Sequence, residues 1–210
     1  MNLFKIGLAF AVAALIVGTG TVAGLFWHFS HGLPDHKQLA DYQPPITSRL
    51  YAADGRLLAE YAKEKRVFVP AAAIPRRVKQ AFVAAEDQRF FTHPGIDVLG
   101  LTRAVLTNIA NPGRRMEGAS GITQQVAKNF LLSSEQTLDR KVREALIALR
   151  IESTYSKDKI LELYLNEIFL GTIVPGRNLH GIAAAALDYF GKSVHELTIH
   201  EAAYLAALPK

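Results

Sequence analysis

The hydrophobic pattern divides the chain near residue 37. From Ile6 to Pro34, 29 consecutive residues contain no Asp, Glu, Lys or Arg, and the best stretch, Ile6 to Phe26, is 21 residues long. As a helix, that stretch spans ~32 Å, enough for a bilayer core. Trp27 and Phe29 follow where an interfacial aromatic belt belongs. A cleaved signal peptide fits less well, because the apolar run is too long and Leu25-Phe26-Trp27 offers no small-residue cleavage site. The pattern thus predicts a cytoplasmic tail over 1–5, a transmembrane helix over 6–29 and a polar linker with prolines over 30–45. Lys5 and the terminal amine place the tail in the cytoplasm and the rest outside.

Residues 46–51 alternate, Asp54-Gly55 supplies a turn, and 56–61 repeat the pattern, which predicts a β-hairpin. A third short strand over 66–69 completes a hairpin region at 46–69, and no further β structure is expected. Over 70–210 the periodicity becomes helical, with helices expected at 75–90, 97–110, 120–132, 137–155, 157–170, 180–190 and 195–208. In the first of these, Val78, Phe82 and Ala85 share a face, and Glu86 and Asp87 fall in the last turn before Thr92-His93-Pro94-Gly95. The 137–155 helix has two apolar arcs. Leu138, Val142, Ala145, Leu146 and Leu149 form one, while Ile147, Ala148 and Ile151 lie almost opposite with Glu144 among them and Arg140 as its nearest ionic neighbour. Apolar on two sides, this helix is expected to be mostly buried. The 157–170 helix is apolar except for a strip of Lys159, Glu162 and Asn166, so it too is central.

Composition narrows the class. Half of the 210 residues are hydrophobic, which excludes disorder, and the residues beyond the apolar segment suffice for one globular domain. The absence of cysteine excludes disulfides and thiolate chemistry. The net charge is +5, of which residues 1–37 supply only +1. A basic domain beside a membrane suits anionic head groups or phosphorylated substrates ahead of nucleic acid. The seven histidines are scattered without an HExxH spacing, and His93 is read as fixing a turn.

Three constellations bear on chemistry. Glu86 stands at a helix C-terminus, where the macrodipole opposes a carboxylate, and Asp87 adds like-charge repulsion. That environment suits a group that accepts and releases a proton, although a salt bridge to Arg89 explains it as well. Gly118 to Gln125 is a small-residue loop entering a helix, able to hold a phosphate or sugar oxygen but otherwise simply a flexible loop. Lys128, Arg140, Lys141, Arg143 and Arg150 form a solvated basic face or, with Glu144, a pyrophosphate site.

Together these stretches resemble the peptidoglycan glycosyltransferases of family 51, the glycan-polymerising domains of class A penicillin-binding proteins and of monofunctional transglycosylases. Five motifs match in order. They are Glu86 to Asp97, Gly118 to Gln125 continued to Asn129, Arg140-Lys141-Val142-Arg143-Glu144, Lys157 to Ile168, and Gly181 to Ala186 followed by Tyr189-Phe190-Gly191-Lys192. The resemblance implies a mainly α, lysozyme-like domain preceded by one transmembrane helix and a short β-hairpin. It implies an inverting transferase that joins the growing lipid-linked glycan to lipid II and releases undecaprenyl diphosphate. Glu86 is then the general base on the acceptor hydroxyl and Glu144 the second carboxylate. Lys128, Arg140, Lys141 and Arg143 bind the diphosphate, and Ser120, Gln124, Gln125 and Asn166 line and position. No cofactor is required, though a divalent cation such as Mg2+ beside Glu144 is compatible, and nucleic acid is not a partner.

Against the family pattern, Gly121 replaces a usual Thr, Gln136 a frequent Arg and His180 a usual Tyr, and about four residues are extra between Gly171 and Gly181. The resemblance places the domain outside the plasma (inner) membrane of the cell as a single-pass protein. It also implies a longer chain, in which a serine transpeptidase domain follows Lys210; the SxN and KTG signatures of that domain do not occur here. Two other readings compete. A membrane-anchored muralytic hydrolase explains paired carboxylates but not the basic helix, and a non-enzymatic membrane scaffold fits the anchor and the hairpin equally well.

Overall fold

The computed structural model describes residues 3–40, 48–61, 64–113, 118, 120–132, 137–174 and 177–209. The first helix, α1 (Leu3–Ser30), is 28 residues long. Among the described residues no helix is long and apolar enough to cross a membrane, so the transmembrane helix over 6–29 stays an expectation of the sequence. The stretch after α1 is docked up to residue 40. Asp35 caps a 3-10 turn (His36–Leu39), Leu39 is buried, and the Tyr155 hydroxyl donates to the carbonyls of His36 and Lys37 at 2.9 and 3.2 Å. Residues 41–47, which hold the rest of the expected linker and the start of the first strand, lie outside the described residues.

The hairpin forms as its sequence predicts. Strands β1 (Ser48–Tyr51) and β2 (Leu57–Tyr61) pair antiparallel, and the turn places Gly55 at φ +82°, a conformation glycine adopts without steric cost. The third strand, β3 (Glu64–Lys65), is shorter and earlier than 66–69. It pairs in parallel with a strand absent from the sequence reading. That strand, β5 (Arg177–His180), also pairs antiparallel with β4 (Phe169–Val174), giving the order β3-β5-β4. Residues 168–174 are a short apolar run, which periodicity cannot assign between helix and strand. Ile168 already leaves helical geometry at ψ 131°, so the expected 157–170 helix ends at Glu167.

The seven predicted helices of the domain are present: α2 (Arg76–Glu86), α3 (Val98–Ala110), α4 (Ile122–Leu131), α5 (Leu138–Thr154), α6 (Lys157–Glu167), α7 (Ile182–Phe190) and α8 (Ile199–Ala207). Thr137, Ser156 and Thr198 cap α5, α6 and α8 through their hydroxyls, which satisfies N–H groups left free at a helix start. The Ser-x-x-Lys spacing at Ser156 and Lys159 is therefore a helix cap, its hydroxyl accepting from the Lys159 N–H at 3.3 Å. It is not a transpeptidase signature.

Helix α6 is the centre, with Ile160 to Leu165 essentially inaccessible. Of its polar strip Glu162 and Asn166 are buried, and Lys159 is half-buried. Asn166 Oδ1 accepts from the Val69 N–H and its Nδ2 donates to the Val69 carbonyl, each at 2.8 Å. Glu162 accepts from the Ala71 N–H at 2.7 Å, and Arg66 pairs with Glu167. The segment leading into α2 is thus laced along α6. In α5 the arc of Ile147, Ala148 and Ile151 is inaccessible, whereas on the opposite arc Leu146 is buried and Ala145 half-buried but Leu138 is 87% exposed and Val142 and Leu149 are also exposed. The two-sided burial expected from the sequence occurs only in part. Helix α3 goes further. Ala104 is its one buried side chain, and Val98, Leu99, Leu101, Val105, Leu106 and Ile109 are exposed.

Candidate active site

Glu86 is the last residue of α2, delivered there by Val78 and Phe82, which anchor the same helix in the core. Gln125, in the first turn of α4, donates its amide Nε2 to Glu86 Oε2 at 3.0 Å. Glu86 Oε1 is buried without a hydrogen-bond partner, and no cation lies within ion-pair distance among the described residues. Arg89 pairs instead with Asp97, so the salt bridge that would have neutralised Glu86 is not formed.

Asp87 is buried and has a different task. It accepts from His93 Nε2 at 2.9 and 3.0 Å and from the Ile122 N–H at 3.0 Å. Because His93 Nδ1 accepts from the Gly95 N–H at 3.1 Å, the ring proton belongs on Nε2, facing Asp87. This closes the turn after α2 and ties it to the start of α4. The expectation that His93 fixes a turn holds. Gly121 fits the same junction, since a Cβ there would run into Asp87 Oδ2, so a Thr at this position needs a shifted Asp87. A second tie runs below. Lys157 donates to the His93 carbonyl at 2.7 Å and to Glu152 at 2.6 Å, and Glu152 also accepts from the Thr123 hydroxyl at 2.5 Å.

Glu144 lies on the buried arc of α5 and is 1% exposed. Its partner is Lys141, not Arg140 as the sequence suggested. Lys141 Nζ donates to Glu144 Oε1 at 2.6 Å and to the Ser120 hydroxyl at 2.5 Å, bridging the small-residue loop to α5. Glu144 Oε2 and Arg140 Nε are both buried and unpartnered. A half-exposed ammonium, a buried carboxylate with a free oxygen and a guanidinium with a free N–H make a polar cluster whose hydrogen-bonding capacity is unspent.

The other predicted residues divide. Gln124 is buried and accepts from the Gly121 N–H at 3.1 Å, which shapes the loop. Lys128 is exposed on α4. Arg143 pairs at 2.8 Å with Asp139 one turn earlier on α5, an exposed contact of small energetic weight. Asn166 is held by Val69 and the Glu162 carbonyl. Gln136 lies outside the described residues, and His180 faces the Glu167 carbonyl at 3.0 Å. Among the described residues, no group of three His, Cys, Asp or Glu side chains could hold a metal ion. Beside Glu144 the nearest charged group is an ammonium, so the donor set does not fit a resident divalent cation. The sequence reading missed Tyr164, a buried tyrosine on α6 whose hydroxyl has no partner; a single phenol inside an apolar helix was its only signal.

Glu86 and Glu144 are thus both tied to the segment that starts α4, the first through the amide of Gln125 and the second through Lys141 and Ser120. A family described as Transglycosylase matches residues 54–210, and the chain belongs to that family. Its relatives include penicillin-binding protein 1A of Rickettsia prowazekii (strain Madrid E), 54% identical over 203 residues that make up 96% of this chain and 25% of the relative. Penicillin-binding protein 1A of Escherichia coli (strain K12) is 43% identical over 210 residues, 100% of this chain and 24% of the relative. Among solved structures, penicillin-binding protein 1A from Haemophilus influenzae matches 80% of this chain and 14% of its own at 26% identity and a TM-score of 0.37. The chain spans about a quarter of the length of these relatives.

Proposed function

We propose that this domain polymerises glycan for the cell wall, joining a growing lipid-linked strand to lipid II and releasing undecaprenyl diphosphate. The observation that supports this best is the asymmetry of the two carboxylates: among the described residues Glu86 meets only a neutral amide, whereas Glu144 is paired to Lys141. Glu86 takes the proton of the acceptor 4-hydroxyl as that oxygen attacks the anomeric carbon. The bond from the anomeric carbon to the diphosphate oxygen breaks, the electron pair leaves with the diphosphate, and the configuration inverts. Lys141, Arg140, Lys128 and Arg143 neutralise the departing charge, with Arg143 released from its weak surface pair. Ser120, Gln124 and Gln125 wall and orient the site, and Asn166 acts by holding the 66–71 segment.

The lipid-linked substrates require the site to sit at a membrane. In this reading α1 is the single-pass anchor and the exposed apolar face of α3, from Val98 to Ile109, dips into the lipid. The domain faces the periplasm or exterior, and a transpeptidase domain follows in the longer chain. A reporter fused after Lys210 that is active only in the cytoplasm would overturn this topology. The chemistry is tested by offering the full-length protein lipid II and cross-linked sacculi separately. Polymer from lipid II and intact sacculi are expected. Shortened sacculi without polymer would instead identify a muralytic hydrolase, and no product from either a scaffold.

A further inference from the structure

Besides Glu144 Oε2 and Arg140 Nε, two more side-chain atoms among the described residues are buried and unpartnered, and their chemistry is complementary. One is Glu86 Oε1, an acceptor; the other is the Tyr164 hydroxyl, a donor. Tyr164 is 1% exposed on the central helix α6. Its ring packs edge-on against Phe82 at 6.3 Å between centroids, and Phe82 lies four residues before Glu86 on the same face of α2. Phe82 therefore holds the ring beside the face of α2 that carries the carboxylate.

A tyrosine serving only to fill the core would be better replaced by phenylalanine, because a buried hydroxyl with no partner costs stability. We propose that Tyr164 is a positioning residue for Glu86: its hydroxyl supplies the hydrogen bond that the second carboxylate oxygen lacks and so fixes the base in the orientation that meets the acceptor. Gln125 holds one oxygen from the α4 side, and Tyr164 holds the other from the α6 side. Burial pushes the Tyr164 pKa up, and the negative charges of Glu86 and Asp87 push it further. The hydroxyl thus keeps its proton and acts as a donor. Asp87 does not compete for it, since its oxygens are taken by His93 and the Ile122 N–H. The inference rests on the proposed role of Glu86.

The test uses the full-length protein with lipid II and compares Tyr164→Phe, Glu86→Gln and the double variant. Tyr164→Phe should lower kcat about 10- to 100-fold, with KM for lipid II and Tm unchanged or Tm slightly raised. In the Glu86→Gln background the same substitution should cost nothing further, because the partner charge is gone. Wild-type kcat in Tyr164→Phe would overturn the proposal and leave the transferase reading standing. A loss that is equally large in both backgrounds, or that follows a fall in Tm, would also overturn it. Full activity of Glu86→Gln would remove the role of Glu86 itself, and the proposal with it.

Discussion

Glu86 and Glu144 are both acidic side chains on well-anchored helices, yet the molecule treats them oppositely. Glu86 closes α2 with an amide at 3.0 Å on one oxygen and no cation nearby among the described residues. Glu144 sits mid-helix with an ammonium at 2.6 Å, and that ammonium is itself shared with Ser120. A base must stay free to take a proton, so a cation against it would weaken it. A group that organises an anion-binding pocket needs cations around it and gains from being buried with them. The family resemblance gives the two different roles, and the difference between their neighbours supports that proposed division of labour.

The sharpest way to break this contrast is Glu86→Gln. Gln can still accept from Gln125, so Tm should hold, while polymerisation falls by ~10²–10⁴-fold with the loss of the proton acceptor. A variant that polymerises normally from lipid II would erase the distinction. The next effect separates the basic groups. Lys141→Ala removes the partner of a buried carboxylate, so both rate and stability should drop. A loss of about 10- to 100-fold in rate is expected, together with about 1–2 kcal/mol, discounted because Lys141 is half exposed. Arg140→Ala should lower the rate similarly yet cost under ~0.5 kcal/mol, since its buried Nε has no partner to lose. Equal stability losses in denaturant titrations of the two would contradict this assignment.

The smallest effect lies away from both ends. The Lys192 ammonium, with the Thr198 backbone and hydroxyl, holds Glu201 down at about 2 from an ordinary 4.5. Because the folded value is depressed, its contribution is complete above about 4.5 and fades as pH falls through about 2. Amide protection in α8 should therefore decline over that window in the native protein and not in Glu201→Gln. If both variants respond alike, the cap does not titrate, and acid effects on the site cannot be separated from it this way.

Much of this was legible in the sequence, and the failures have physical causes. Phe82 and Val78 recur at helical spacing, so α2 and the placement of Glu86 at its end followed from periodicity. Asp54-Gly55 announced its hairpin for the same kind of reason, local turn chemistry. The β4 and β5 strands were missed because residues 168–174 are mostly apolar, interrupted by Gly171 and Thr172 alone, and such a run is compatible with either period. In α5 the periodicity found both apolar arcs but could not tell that the arc with Leu138 and Val142 is left partly exposed, since exposure depends on what packs alongside. Choosing Arg140 over Lys141 as the partner of Glu144 was a matter of rotamer and of Ser120, a residue 21 positions from Lys141. Asn166 looked like a residue for substrate, and only the tertiary fold brings Val69 to it.

The docking of residues 36–39 has a mechanical meaning. With the Tyr155 hydroxyl latched to two carbonyls of this turn and α1 packed against α5, the helix that bears Glu144 is joined to α1 by a stiff elbow. A ball on a string explores every tilt; a body on an elbow keeps one. For a substrate confined to a plane, that rigidity turns a search over angles into a fixed bearing and elevation. Lengthening the elbow by a few flexible residues would leave the chemistry intact and misaim it.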